Sequence, residues 1–263
     1  MWHKPQLMTA LADLLVLSTA AVMLVTLAVW VTRLPLFPLR EVVLLNELQA
    51  VQRSDLERAL GSLLHDNFFN VKLDPLRQSL EQLPWVRRAE VRRHWPGRIE
   101  IRLEEQQAVA YWGEEHKQRV NRFGEVFTVP SGDAEQASLP TLNGPNGRAA
   151  EMLLRYQEFS AYLAPIGYQT EAVNLSPRLA WQLKVKHQPD NTVLHLELGR
   201  EQNKVPISLR VTRFAKNYPA LTRYLLSAHR ALPSAVDMRY PNGFALRFAG
   251  SSAGKTQHGQ NKQ

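Results

Sequence analysis

The 263-residue chain contains no cysteine. Disulfides, cysteine-based zinc sites and thiol catalysis are thereby excluded. Also missing are a nucleophile elbow, a phosphate loop, a dinucleotide fingerprint and the HExxH pattern of zinc hydrolases. Histidines at positions 3, 65, 94, 116, 187, 195, 229 and 258 are scattered. His187 and His195 flank a candidate hairpin and could face each other. No third ligand stands near them in sequence, so they read as surface residues, and no metal site or cofactor is expected. The carboxylates fall at helix starts and on alternating strand faces, where solvation accounts for them. The lone Asn174-Leu175-Ser176 sequon carries no weight, and no internal repeat is present.

One stretch lacks charge, proline and glycine altogether: Leu14 to Thr32, 19 residues. As a helix it rises roughly 28 Å, close to the ~30 Å hydrocarbon core of a bilayer. Its five Leu and five Val favour insertion by roughly 3–6 kcal/mol together. A soluble core helix is rarely apolar all round. A cleaved signal peptide ends in a small-x-small site, whereas Trp30-Val31-Thr32-Arg33-Leu34-Pro35 follows here. An uncleaved single-pass anchor is expected, with the fold C-terminal to it. Charge bias does not set its direction: Lys4 and the α-amino group stand on one side, Arg33 and Arg40 on the other. The formal net charge of +8 makes an anionic neighbour plausible.

After a proline-containing connector, Glu41–Leu45 reads as a strand. Ser54 then caps a helix, with Glu57 as its capping-box partner and Leu56, Leu60, Leu63 and Leu64 on one face. Asp74-Pro75 opens a second helix, with Asp74 as its N-cap. Two strands follow, with Trp85, Ala89 and Val91 on one face of the first. Across the Pro96-Gly97 turn, Ile99, Ile101 and Leu103 alternate with charged residues. The order from Glu41 to Glu104 is β-α-α-β-β. Beyond Ala108 the pattern predicts short strands at 108–112 and 118–129, a Pro/Gly-rich loop to Gly147 and a helix over 149–163. A hairpin (181–185 with 193–198) and helices over 206–218 and 219–230 come next. Val236 to Phe248 closes the fold, with Val236, Met238, Tyr240, Phe244, Leu246 and Phe248 in one parity and a bend at Pro241-Asn242-Gly243. The last 15 residues are polar and read as disordered.

Two surface features bear on binding. Arg87, Arg88, Arg92 and Arg93, with Arg98 and Arg102, form either an anion-binding ribbon or a solvated face interspersed with Glu90, Glu100 and Glu104. The closing strand is either a plain inner strand or an open sheet edge able to accept a partner strand.

Several stretches together resemble one family. Phe69-Asn70-Val71 leads into Leu80-Glu81-Gln82-Leu83-Pro84-Trp85-Val86-Arg87-Arg88-Ala89-Glu90-Val91-Arg92-Arg93-His94-Trp95-Pro96. This segment is similar to the P-W-V-x-x-A-x-V-x-R-x-W-P segment of the bacterial FtsQ/DivIB cell division proteins. Ile99 to Glu105, Ala108 to Trp112, Asn121 to Phe127, Arg213-Phe214 with Tyr218-Pro219-Ala220-Leu221, and Val236 to Ala245 continue the resemblance in order. Gln107 stands where the family often has proline.

The resemblance implies an α+β protein: a cytoplasmic tail (1–13), a transmembrane helix (14–33), a linker (34–38), a POTRA domain (39–106), a mixed β domain with flanking helices ending in an edge strand (107–248), and a free tail (249–263). It implies no catalysis, an inner-membrane protein at the division septum with its bulk periplasmic, and a scaffold for FtsB and FtsL, linked to FtsK-type and septal synthase proteins. No nucleic acid or small-molecule substrate is expected. Carried over by position, the partner contacts are Arg239, Tyr240, Asn242, Gly243, Phe244 and Phe248. Arg178 is one residue out of register with a family arginine. The rival expectation is a membrane-anchored domain binding peptidoglycan or anionic lipid through Arg87, Arg88, Arg92 and Arg93.

Overall fold

The computed structural model describes residues 5–33, 38–61, 68–69, 71–130, 139–202, 205–240 and 242–248. Leu63, Leu64, Asn70, Pro241, most of the linker and the C-terminal tail lie outside them. The chain divides into two compact units between Gln106 and Gln107.

The first unit opens with α1 (Pro5–Arg33). It starts well before Leu14, because Pro5 suits a first helical turn and nothing between it and Leu14 breaks a helix. Its segment Thr9–Val31 is long and apolar enough to cross a membrane, and none of it is buried inside the protein. A buried core helix is thus ruled out for this stretch.

The β-α-α-β-β order then appears as β1 (Glu41–Leu44), α2 (Arg53–Gly61), α3 (Leu73–Glu81), β2 (Val86–His94) and β3 (Arg98–Glu105). The sheet order is β1-β3-β2, parallel then antiparallel. Leu56, Leu76 and Leu80 pack onto Ala89, Ile99, Ile101 and Leu103. Two side chains extend the ladder. The Asn46 amide exchanges two hydrogen bonds with the Leu103 backbone, at 2.9 and 3.0 Å. The Glu105 carboxylate accepts the backbone N–H groups of Gln49, Ala50 and Val51 at 2.9–3.0 Å.

The expected caps are not used. Ser54 lies inside the first turn of α2, and Glu57 pairs with Arg53 at 3.3 Å. The cap of α3 is Lys72, without a side-chain bond, so Asp74 serves only as a first-turn acid favoured by the helix dipole. A bulge between Val86 and Arg88 puts Val86 rather than Trp85 on the buried face with Ala89.

The second unit holds β4 (Ala108–Trp112), β5 (Gln118–Asn121), β6 (Val126–Thr128), β7 (Thr141–Asn143), α4 (Ala149–Leu163), β8 (Tyr168–Leu175), β9 (Ala180–His187), β10 (Val193–Arg200), α5 (Ile207–Ser227), β11 (Ala235–Asp237) and β12 (Ala245–Arg247). One nine-stranded sheet runs β12-β11-β10-β9-β8-β7-β4-β5-β6. Trp181, Leu183 and Val185 of β9 alternate inward under Phe159 of α4 and Phe214 of α5. The intervening residues of the opposite face are polar and cross-linked, as in Gln182–Glu197 (2.9 Å) and Lys184–Glu171 (3.0 Å). The Asn121-Arg122-Phe123-Gly124-Glu125 motif is a turn built on one buried amide. Asn121 Oδ1 accepts the N–H groups of Phe123 and Glu125, both at 2.9 Å.

Four expectations are corrected. β7 sits inside the supposed loop, in parallel register with β4 and β8. β8 is an additional strand. The two late helices are one, α5, with Pro219 inside. An apolar stripe of Ile207, Val211, Phe214 and Tyr218 packs into the sheet core, and Leu221 beyond the proline packs against the same core. The closing element is two antiparallel strands, β11 and β12, rather than one.

β10 ends in a bulge between Glu197 and Gly199. Gly199 adopts φ +76°, and a Cβ there would stand 2.8 Å from Arg239 Cγ. Beneath it the buried Arg210 of α5 donates to the carbonyls of Leu198, Arg200 (3.1 Å) and Val205 (3.0 Å). Arg210→Met strands these carbonyls and is expected to cost roughly 2–3 kcal/mol. Gly199→Ala is expected to cost about 1–2 kcal/mol for the left-handed backbone. Urea unfolding of the fragment lacking the first 33 residues checks both values and their order.

Candidate partner-docking edge

β12 is the outermost strand of the nine-stranded sheet and pairs only with β11 among the described residues. At three residues it is a short edge, the form in which sheet edges are commonly kept from random pairing. The turn that feeds it carries the residues singled out from sequence.

Arg239 is the most firmly placed of them. Its Nε lies 2.9 and 3.0 Å from the Asp237 carboxylate oxygens, and its terminal nitrogen 2.6 Å from Oδ2. Asp237 also accepts the Arg239 backbone N–H at 3.0 Å. The guanidinium holds the Asp237 carboxyl below its ordinary value of 3.8, and the carboxylate in turn raises the arginine. With its stem over Gly199, Arg239 is splayed across the end of β10 with its charge at the surface.

The other residues fall into two groups. Tyr240 is 55% exposed and Asn242 is exposed. A Cβ at Gly243 would meet open space. Phe244 instead turns inward, edge-on to Phe214 with centroids 5.9 Å apart. Phe248 is half-buried. The single parity expected for this stretch therefore breaks at Tyr240, because the chain turns there rather than running on as one strand.

Arg178 is exposed in the turn between β8 and β9. Register places that turn at the same end of the sheet as Arg239. Trp181 opposes Gly199 and Gln182 opposes Glu197, which in turn opposes Asp237. Three strand spacings, roughly 14 Å, separate the two turns. Beside Arg178, Leu179 is 45% exposed with φ +59°. An exposed leucine held in that backbone region marks the turn as unusual, and no sequence signal pointed to it. Asp237, Gly199 and Arg210, which hold Arg239, were likewise missed. Of these, only the i, i+2 spacing of Asp237 and Arg239 was readable in advance.

The arginine ribbon belongs to the first unit, and its charges are largely engaged. Arg87 pairs with Glu104 at 3.0 Å and Arg92 with Glu90 at 3.5 Å. Arg93 donates to the carbonyls of Phe69 and Val71. Arg88 faces Glu104 across the ladder, Glu90 faces Arg102 and Arg92 faces Glu100. Such opposite-sign cross-strand pairs stabilise a sheet face and leave little net charge for a ligand. His187 and His195 do not meet: His195 opposes Lys184, while His187 bonds Asp190 at 2.8 Å.

Comparison with known proteins agrees with both units. The POTRA domain family of FtsQ type matches residues 37–106, and the C-terminal domain family of cell division protein FtsQ/DivIB matches residues 110–239. Cell division protein FtsQ of Burkholderia pseudomallei is 36% identical over 95% of this chain and 95% of its own length. That of Bordetella pertussis is 31% identical over 100% of this chain and 98% of its own. That of Escherichia coli K12 is 29% identical over 84% and 76%. With the fold, the ordered motifs and these relatives in agreement, the chain belongs to the FtsQ/DivIB family of cell division proteins.

Proposed function

We propose that the chain is a non-enzymatic, single-pass scaffold of the division septum that receives FtsB, and with it FtsL, by strand addition at β12. In this reading α1 crosses the inner membrane with the N-terminus cytoplasmic, and both folded units are periplasmic. Recruitment by FtsK-type proteins and delivery of the septal synthase are the neighbouring steps. The observation that carries the proposal is the open outer edge of β12 beside an exposed turn bearing Arg239 and Tyr240.

The energetics assign different roles to backbone and side chains. Three edge residues offer only about two main-chain bonds, each worth about 1 kcal/mol net. Specific affinity must then come from anchors at the turn, and arginine and tyrosine are the residue types that most often supply it. Asp237 keeps Arg239 extended before the partner arrives, which lowers the ordering cost of binding. The engaged arginines of β2 weigh against the anionic-surface reading.

In a pull-down with the periplasmic parts of FtsB and FtsL, the fragment 34–263 is expected to bind. Tyr240→Ala is expected to lose that binding while stability changes by less than about 0.5 kcal/mol, as for an exposed position. Phe244→Asp is expected to fail differently, by lowering stability, since the ring packs on Phe214. Normal binding by Tyr240→Ala would move the docking site elsewhere.

The Asp237–Arg239 clamp has a pH signature. A carboxyl whose folded value is depressed contributes stability that is present above its unfolded value and is lost as pH falls through the folded one. The contribution is therefore in place at neutral pH and begins to fall away as pH drops below the ordinary 3.8 of Asp237. Thermal melts of wild type and Asp237→Asn are expected to differ at pH 7, and the difference is expected to shrink progressively as pH falls below 3.8. A constant difference would show that the clamp does not contribute.

A further inference from the structure

The tip of the β2–β3 hairpin, Trp95-Pro96-Gly97, is not used by the docking edge, which lies in the other unit. The Trp95 ring is 71% exposed. The tip is also fastened to the segment that leaves the membrane helix. The Gly97 carbonyl accepts the backbone N–H groups of Arg40 at 2.8 Å and Glu41 at 3.3 Å. Gly97, at φ +111°, makes this approach possible, since a Cβ there would stand 3.1 Å from the Pro38 carbonyl oxygen.

Pro38 is five residues beyond Arg33, the last residue of α1. Five residues span at most about 18 Å, so the tip is tethered close to the end of the membrane helix. The headgroup layer itself is roughly 5–8 Å thick on each side of the hydrocarbon.

The chemistry around the tip fits that neighbour. A shallow cavity of about 300 Å³ is lined by Arg40, His94, Trp95 and Arg98, with Glu41 beside them. Arg98 is neutralised by Glu41 at 3.0 Å, and His94 stands 3.8 Å from Glu100. The Arg40 guanidinium forms no ion pair among the described residues. Tryptophan with adjacent basic side chains is the combination that settles at a membrane–water boundary.

We propose that this tip is a membrane-surface foot. Trp95 enters the headgroup layer of the bilayer that α1 crosses, and Arg40 takes the phosphate of an anionic phospholipid in the adjoining cavity. Two points of attachment, the helix and the foot, then restrict the swing of the first unit relative to the membrane.

The test uses the full chain in nanodiscs made with acyl-brominated lipids, which quench nearby indoles. Six tryptophans are present, so the Trp95 signal is the difference between wild type and Trp95→Phe. In discs of phosphatidylethanolamine and phosphatidylglycerol, that signal is expected to be quenched. In pure phosphatidylcholine discs, or with Arg40→Glu, the quenching is expected to be lost. A Trp95 signal unquenched in the anionic discs overturns the foot. Equal quenching in all three cases overturns the role of Arg40 and of anionic lipid. Unchanged circular dichroism and melting of both variants shows that the fold is intact. The outcome is independent of FtsB binding, which Trp95→Phe is expected to retain.

Discussion

The buried guanidinium of Arg210 is the contact on which the β10–β11 end of the second unit depends. It gathers carbonyls from the end of β10 and from Val205 just ahead of α5, and so ties the end of the strand to the approach of the helix. The Gly199 bulge is possible because those carbonyls have a partner, and the bulge leaves room for the stem of Arg239. A buried charge held by backbone carbonyls rather than by a carboxylate is a positional device: it tolerates little displacement because each bond is directional. The surface residues Arg239 and Tyr240 thus inherit their placement from a side chain almost thirty positions earlier.

The two units solve the same packing problem at different scales. In each, a sheet with one apolar face is covered by two helices, and the other face is left wet and cross-linked by pairs of opposite charge. That arrangement explains why a basic chain shows no broad cationic face on β2 and β3. It also explains why the exposed features stand at sheet ends and hairpin tips, where no cross-strand neighbour exists.

Most of the architecture was legible in the sequence, and the gaps have physical causes. The β-α-α-β-β order, α4 and the β9–β10 hairpin follow from clean periodicity. β8 escaped because its bulge between Thr170 and Ala172 switches the buried set from Tyr168 and Thr170 to Val173 and Leu175, which destroys the alternation. β7 has three residues, too few to display a period of two. α5 was divided at Pro219 because local propensity argues for a break, whereas the apolar stripe on the sheet outweighs it. At the β11–β12 end, Arg239 and Tyr240 were singled out from their motif, and the structure places both at the surface. The residues supporting Arg239 were not, since Gly199, itself backed by Arg210, meets it only through the parallel pairing of β10 with β11.

That parallel pairing has a consequence for how the protein matures. β10 and β11 can lie side by side only after the whole of α5 has crossed over between them. β12 can join only after β11. Pairings that close long stretches of chain form late, and these involve the most C-terminal strands among the described residues. The β11–β12 edge is therefore completed late among the described elements, so a chain cut short or still emerging before residue 235 lacks the outer edge of its sheet.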